Sequence, residues 1–279
     1  MVHTFLKYGV VMVIMSAISP TAFLANVQDL LPRAFAAAVA CFGLSLFVLE
    51  PAGARALGLS PASTKAGAHY ALAWLFGVQC VVLGTAVARE LQLKNYNDED
   101  ETLAASARIL IAHTLGYFLY DTLSLLIRKP IDDRLMLVHH AVTLYLAIFS
   151  AGMPGWLQVK GAIVLIYEIT APLLIHRRLI TFARSRGAEG ALLGTVETLN
   201  NIVFSLTFLT LRGPGMLYVA YSLTTTNLDR LLAAPWRTGE ATIALWFAVT
   251  AMNLYWCRRV LHGVLKLLLG VDTKARKSE

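Results

Sequence analysis

Two adjacent histidines, His139 and His140, lie inside the almost entirely apolar run LMLVHHAVTLYLAIF (135–149). An imidazole can accept or donate a proton near neutral pH, and it can also bind a metal ion. Ionisable groups at membrane depth are costly, so they usually face a protein interior or a water-filled cavity. The pair is therefore the first candidate for a catalytic site, with a purely structural role as the alternative.

The preceding apolar run carries a stripe of polar and aromatic side chains at helical spacing. His113, Tyr117, Tyr120, Asp121 and Ser124 follow at steps of three and four, so a helix places them along one stripe. Asp121 is the most costly member inside a membrane. Its expected partner is Tyr117, Ser124 or a histidine on a neighbouring helix.

Later apolar runs add further polar groups. Pro172 should kink its helix and free carbonyl groups about one turn earlier, near Glu168. Four successive runs each bring a costly polar group to a similar face, which predicts a polar interior. We expect the following residues to line a cavity: His113, Tyr117, Asp121, Thr143, Tyr167, Glu168 and Asn201.

Interhelical hydrogen bonding, worth about 0.6–2 kcal/mol for each group, is the alternative explanation for these polar residues. We favour it for a set of uncharged side chains: Thr143, Asn200, Asn201 and Ser205. For Asp121, Glu168 and the two histidines, a functional and a structural role are equally well supported by the sequence.

The motifs of several common chemistries are absent from the sequence. Adjacent histidines on a helix cannot easily bind one tetrahedral ion, and the spacing of a His-Glu-x-x-His helix is missing. The chain has no phosphate loop, dinucleotide fingerprint or Gly-x-Ser-x-Gly turn. We therefore expect no cofactor and no metal. The three cysteines lie in different apolar segments, as buried hydrophobic residues do.

The composition is that of a membrane protein. The chain is 57% hydrophobic and only 15% charged, and its mean hydropathy is +0.62. Soluble domains contain about 25% charged residues. The charges also form short clusters between long apolar runs, which predicts an all-α polytopic membrane protein. The net charge of +7 then reflects basic cytoplasmic loops next to anionic lipids, so no nucleic-acid partner is expected.

The apolar runs predict about eight transmembrane helices: 8–25, 33–49, 68–89, 108–127, 134–152, 156–175, 191–211 and 241–266. The first is interpreted as an uncleaved anchor, with a cleaved signal peptide as the alternative. The segment 216–223 follows Gly213-Pro214-Gly215 and is predicted to be re-entrant or interfacial.

Loop charges predict the orientation. Four arginines in the segment 176–190 place it in the cytoplasm, and alternation places Arg134 and the basic tail 269–279 there too. Eight spans satisfy every basic loop, whereas nine would leave the tail on the opposite side. His139 then lies about 8 Å inside the cytoplasmic boundary at 1.5 Å per residue. A water-soluble acyl donor or a proton could reach it.

Three segments together resemble the TLC-domain family, the membrane domain of ceramide synthases, translocation-associated membrane proteins and several small lipid-homeostasis proteins. They are GYFLYDTLSLLIRKPIDDRLMLVHHAVTLYLAIF (116–149), YEITAPLLIHRRLI (167–180) and MNLYWCRRVLHGVLKLL (252–268). The resemblance covers roughly 66–268, and the six spans predicted there equal the family's six-helix core. It implies an N-terminal part of one or two helices (1–65), a TLC domain (66–268) and a basic tail (269–279).

The resemblance is closest to the small non-synthase TLC-domain proteins. Ceramide synthases carry a downstream His-Asp and a further Asp, where this chain has Tyr167-Glu168 and Ala171. The resemblance therefore implies an endomembrane protein, in the endoplasmic reticulum or a related compartment, that handles a membrane lipid with a sphingolipid or fatty acyl chain. The oligomeric state is left open.

Two other functions are alternatives. One is acyl-CoA-dependent N-acylation of a sphingoid base, with His139 or His140 as general base. The other is transport of protons or small solutes through Asp121 and Glu168, although the inverted repeat of many transporters is missing from the sequence.

Overall fold

The structure, a computed structural model, describes residues 31–57, 60–94, 101–128, 134–152, 155–185, 189–233 and 238–269. These residues form helices and short connections, and no strand occurs among them. The chain is an all-α polytopic membrane protein. The predicted span 8–25 and the basic tail from residue 270 onwards lie outside the described residues.

Eleven α-helices are described, and short 3-10 or π-helical segments join several of them. The α-helices are α1 (Leu31–Gly43), α2 (Glu50–Leu57), α3 (Pro61–Leu93), α4 (Glu101–Leu123), α5 (Arg134–Gly152), α6 (Gly155–Val164), α7 (Thr170–Ser185), α8 (Ala191–Thr210), α9 (Met216–Thr225), α10 (Leu228–Leu232) and α11 (Thr238–Leu268). The joining segments are π-helical at Leu44–Leu49, Ser124–Arg128 and Leu211–Gly215, and 3-10 at Leu165–Ile169.

The long helices are apolar because each must present its surface to lipid or to another helix. Five described stretches are long and apolar enough to cross a membrane: Leu31–Ala52, Pro61–Leu93, Thr102–Ile127, Gly155–Arg184 and Ala191–Thr225. Met136–Ile148 in α5 is a shorter apolar helix, and α11 has 31 residues. Seven of the eight predicted spans therefore fall on described helices.

Six spans form a closed ring. In order around the ring, α3 packs against α4, α4 against α5, α5 against α11, α11 against α8, α8 against α7, and α7 against α3. Four consecutive residues of α6 (156–159) are buried, so all sides of this helix are covered. Because α6 packs against α3, α4 and α5, it fills one end of the ring.

Helix α4 is the most buried span, with 67% of its apolar window inside the molecule. It lines the ring on one side, and it packs against both α1 and α6. Gly116 makes this packing possible, since a Cβ there would lie 2.5 Å from the Ala34 carbonyl oxygen of α1. The helix that carries the predicted polar stripe is thus held by neighbours on several faces.

The chain between α6 and α7 forms a 3-10 helix at Leu165–Ile169, directly before Pro172. Pro172 has no N–H to bond the Glu168 carbonyl, so the regular α-helical pattern is interrupted there. Gly77 of α3 fits against this interruption. A Cβ at Gly77 would lie 2.5 Å from Cδ of Pro172 and 3.0 Å from the Glu168 carbonyl oxygen. The sequence predicted an interrupted helix near Glu168 because of Pro172, and the 3-10 helix lies at that position.

The segment 216–223 is not a separate re-entrant or interfacial piece, and that prediction was wrong. The π-helical turn Leu211–Gly215 joins α8 to α9 in one helical stretch, Ala191–Thr225. Pro214 and its two flanking glycines do not end the helix, because the wider turn accommodates the residue without an N–H. The stretch makes one crossing, so the ends of α7 and α11 lie on the same side.

Candidate functional site

The six-helix ring encloses a cavity of about 420 Å³. All six spans contribute to its walls, which combine apolar and aromatic side chains with a group of buried polar and charged ones. The polar and charged wall residues with the least exposure to solvent are His69, Asp121, His139, His140, Thr170, Arg212 and Asn253.

The carboxylate of Asp121 lies between two imidazoles. Its Oδ2 is 2.5 Å from Nδ1 of His140 on α5, and its Oδ1 is 3.0 Å from Nδ1 of His69 on α3. The Asp121 side chain is fully buried. Both contacts have the distances of ion pairs. One carboxylate thus connects three neighbouring spans.

The two adjacent histidines have different neighbours because consecutive residues of a helix point about 100° apart. His140 faces α4, where its ring meets Asp121 and lies 5.2 Å from the ring of Phe118. His139 faces α11, and its ring lies edge-on to Trp256 at 5.0 Å. Both rings line the cavity.

A second charged group also lines the cavity. Arg212, in the π-helical turn, donates through Nη2 to Oε1 of Glu168 at 2.8 Å and to Oγ1 of Thr170 at 3.1 Å. Its Nε also donates to Thr170, at 3.2 Å. Arg212 is buried, with 8% of its surface exposed. This pairing offsets part of the desolvation of both charges.

A smaller cavity of about 80 Å³ adjoins this group. Its walls are mostly apolar, and they share His139, Glu168 and Arg212 with the larger cavity. These three residues therefore stand between a wide cavity with polar walls and a narrow apolar one. Thr143, also predicted to line a cavity, lines the smaller one, where its Oγ1 donates to the His139 carbonyl.

The wide cavity opens between α3, α7 and α11, on the half of the ring toward which α7 and α11 end. Arg177 and Arg259 are exposed and also line the cavity, so they mark the opening. Arg178, the third arginine there, donates to the Tyr70 hydroxyl at 2.6 Å, and its guanidinium carbon lies 5.1 Å from the centre of the Tyr70 ring.

Five of the predicted site residues line the wide cavity: Tyr117, Asp121, His139, His140 and Glu168. Tyr117 forms part of an aromatic wall, since its ring stacks on Phe76 with centres 3.9 Å apart and planes within 7°. These five side chains come from α4, α5 and the 3-10 helix, whereas no polar residue predicted on α8 lines this cavity.

Three other predicted residues line neither cavity. His113 shares a hydrogen bond of 2.5 Å with Gln79 of α3 instead. Tyr167 packs against the π-helical turn, where a Cβ on Gly215 would lie 3.0 Å from its hydroxyl. Asn201 has a buried Oδ1 with no hydrogen-bond partner among the described residues. Their helices present them to neighbouring helices instead of to either of these two cavities.

The site residues predicted from the sequence left out four of the buried polar wall residues: His69, Thr170, Arg212 and Asn253. His69 lies at the start of a predicted span, where a polar residue is unremarkable without knowledge of its neighbours. Arg212 lies just after the predicted end of another span, and Gly213-Pro214-Gly215 made it look like a loop residue. An arginine with no acidic residue nearby in its apolar stretch was the available signal.

The arrangement supports proton transfer more readily than metal binding. Within the described parts of the chain, no group of three His, Cys, Asp or Glu side chains is arranged to hold a metal ion. The buried Asp121 carboxylate instead approaches Nδ1 of His140, as an orienting carboxylate does beside a catalytic imidazole. The site can therefore bind a polar group, exchange a proton with it and hold an apolar chain alongside.

The fold and the site define a polytopic membrane protein with a six-helix ring around a partly polar cavity. The TLC domain family model matches residues 63–262, more than half of the chain. The chain belongs to the TLC domain family, as its sequence predicts. Proteins of this family are membrane proteins linked to lipid metabolism.

One relative is an uncharacterized TLC domain-containing protein of Schizosaccharomyces pombe (strain 972 / ATCC 24843). It is 23% identical over 155 residues, which are 56% of this chain and 51% of the relative. The chain thus spans about half the length of this relative, whose name states no activity. No solved structure matches the chain significantly.

Proposed function

We propose that this protein binds a membrane lipid inside its six-helix ring and thereby influences membrane lipid composition or trafficking. The observation that carries the proposal is the cavity of about 420 Å³ with aromatic walls and a buried polar group. Ligand pockets of this size combine mostly apolar walls with a few placed polar groups. A lipid offers the matching chemistry, since it has a polar head or linkage and an apolar chain.

The narrow apolar cavity supports the same proposal. It begins where His139, Glu168 and Arg212 meet the wide cavity. A chain entering it would leave a polar linkage, such as an amide or ester carbonyl, beside donors and acceptors. A sphingolipid or a fatty acyl lipid has this order of groups, whereas a small soluble solute does not.

Lipid mass spectrometry tests the proposal. The full chain, purified in mild detergent, should retain one or a few lipid species at close to stoichiometric amounts after extensive washing. An unrelated polytopic protein of similar size, purified in parallel, controls for annular lipid. A lipid profile indistinguishable from that control would refute the proposal.

A second candidate function is N-acylation of a sphingoid base by acyl-CoA. The observation that favours it is the approach of Asp121 to Nδ1 of His140, because a carboxylate there would orient the ring as a general base. The sphingoid amine would attack the thioester carbonyl carbon and give its proton to His140. The C–S bond would break, and the coenzyme A thiolate would leave and take up a proton.

Microsomal assays separate the two candidates. Membranes containing the wild type, His139→Ala, His140→Ala or Asp121→Asn are supplied with a sphingoid base and acyl-CoA. The acyltransferase account expects a fall in product of at least about 100-fold for His140→Ala. Equal product from the wild type and all variants would eliminate the histidine-dependent acyltransferase. Product no higher than that of membranes without the protein would eliminate it too, and lipid binding would remain as the proposed function.

A further inference from the structure

Three arginines surround the opening of the wide cavity: Arg177 and Arg178 in the middle of α7, and Arg259 in the last third of α11. The acidic side chains of the cavity wall are already occupied, since Asp121 approaches two imidazoles and Glu168 accepts from Arg212. Among the residues that the structure describes, none of the three arginines contacts a carboxylate. The opening therefore presents uncompensated positive charge.

One of these arginines is held in position. The Tyr70 hydroxyl accepts from Nη1 of Arg178 at 2.6 Å, and the Tyr70 ring lies beneath the guanidinium. Such a contact reduces the freedom that a long side chain would otherwise lose when it binds a ligand. Tyr70 itself lines the cavity. The charge is thus fixed at the boundary between the cavity and the surface.

We propose that this arginine rim (Arg177, Arg178 and Arg259) binds the phosphate of an amphiphile whose apolar chain lies in the cavity. The inference rests on the proposed lipid-binding function and adds the class of ligand. Guanidinium groups match phosphate oxygens with two parallel hydrogen bonds, and they are weakly hydrated for a cation. The rim lies about two helical turns before the ends of α7 and α11.

The direction of these side chains separates a ligand-binding rim from a general basic surface. Basic residues near span ends attract anionic headgroups wherever they point. Arg258 is next to Arg259 on α11, is also exposed, and does not line the cavity. Replacing either residue changes the net charge by the same amount at the same depth. The two positions therefore form a matched pair.

A phosphate on an acyl chain has two plausible sources. One is a phospholipid with an accessible phosphate, and the other is an acyl-coenzyme A. Dioleoyl phosphatidic acid and oleoyl-coenzyme A serve as probes, and dioleoylglycerol is the neutral control with the same chains. Native mass spectrometry of the full-length protein in detergent measures the affinity of each.

The rim predicts that at least one phosphate-bearing probe binds about tenfold or more tightly than dioleoylglycerol. Arg177→Gln and Arg259→Gln should each weaken that binding about fivefold or more, whereas Arg258→Gln should leave it within about twofold. Tight binding of phosphatidic acid alone identifies a phospholipid, and tight binding of oleoyl-coenzyme A alone identifies the thioester. Thermal unfolding of each variant checks that it is folded.

Three results would overturn the inference, and they differ in meaning. Equal binding of all three probes, unchanged in the rim variants, would remove the phosphate site while leaving lipid binding intact. Equal losses for Arg258→Gln and Arg259→Gln would show general surface attraction. Absence of binding for every probe, together with an annular lipid profile in the purified protein, would refute the proposed function as well.

Discussion

Asp121 is the residue on which the site depends most. A fully buried carboxylate inside a membrane protein loses its hydration, and this loss is offset only by nearby cationic or hydrogen-bonding groups. His140 and His69 supply those groups from two neighbouring helices. The three side chains are therefore expected to behave as one unit, in which each replacement changes the environment of the others.

A double-mutant cycle measures that coupling. Asp121→Asn and His140→Ala should each lower the free energy of unfolding, and the double variant should lose less than the sum. The expected interaction energy is about 1–3 kcal/mol, as for residues in direct contact. Unfolding in sodium dodecyl sulfate, followed by circular dichroism, gives the four values. Asp121→Asn combined with His113→Ala is the control, because His113 pairs with Gln79 instead. Strict additivity in the first cycle would contradict the contact.

Arg212 and Glu168 form an ion pair in the cavity wall, and the loss of either partner should lower the stability of the protein. Arg212→Gln or Glu168→Gln alone leaves a buried charge without its partner, which should destabilise the protein by about 3–5 kcal/mol. The double variant should recover part of this loss. The same unfolding assay applies.

The exposed pair Arg184–Glu197 provides the comparison. Its side chains are 43% and 32% exposed, so Arg184→Gln should change stability by less than about 1 kcal/mol. Similar losses for Arg212→Gln and Arg184→Gln would mean that the Arg212 pair is solvated.

At the scale of elements, two interrupted spans shape the cavity. The 3-10 helix before Pro172 and the π-helical turn around Pro214 present Glu168 and Arg212 toward each other. A regular α-helix through either segment would rotate one of these side chains away. Both interruptions occur at a proline, and neither ends its span.

The fit of α3 against the 3-10 helix gives a test of this packing. Gly77→Val should lower the free energy of unfolding by about 1–3 kcal/mol, because the new side chain would overlap Pro172. Gly67→Val, on the same helix, should cost little beyond helix propensity, since a Cβ at Gly67 has no neighbour within 4 Å. Thermal unfolding in detergent compares them. Equal stability of the two variants would mean that α3 does not approach Pro172 closely.

The sequence predicted the elements more completely than their interruptions. Long apolar runs identify spans because each crossing needs about 20 such residues. Helical spacing also placed Tyr117 and Asp121 on a face near the histidine pair. The route through Pro214 was missed, because a proline between glycines usually ends a helix, and only packing by α9 and α11 favours continuation. His69 and Arg212 were missed because their partners are distant in sequence.

For the whole molecule, the ring has two unlike ends. One end is filled by α6, and the other opens between the arginines of α7 and α11. We propose that the open end faces the cytoplasm, because basic residues concentrate on that side of membrane proteins. A ligand would then enter from the cytosol or from the cytoplasmic leaflet.

Cysteine labelling tests that orientation. In a background without Cys41, Cys80 and Cys257, Glu189→Cys marks the open end, and Thr226→Cys marks the other end. In cells with a selectively permeabilised plasma membrane, a membrane-impermeant maleimide should label only Glu189→Cys. Detergent should then expose Thr226→Cys. The reverse pattern would place the opening in the lumen.

The central claim is that a lipid occupies the ring, and lipid stoichiometry in matched variants tests it most directly. Ala73 lines the cavity, whereas Ala86 lies on the exposed face of the same helix. Mass spectrometry of the purified proteins should find a retained lipid in the wild type and in Ala86→Trp, and a loss of about tenfold or more in Ala73→Trp. Thermal unfolding checks that each of the three proteins is folded. Equal lipid content in all three would then contradict lipid binding inside the ring.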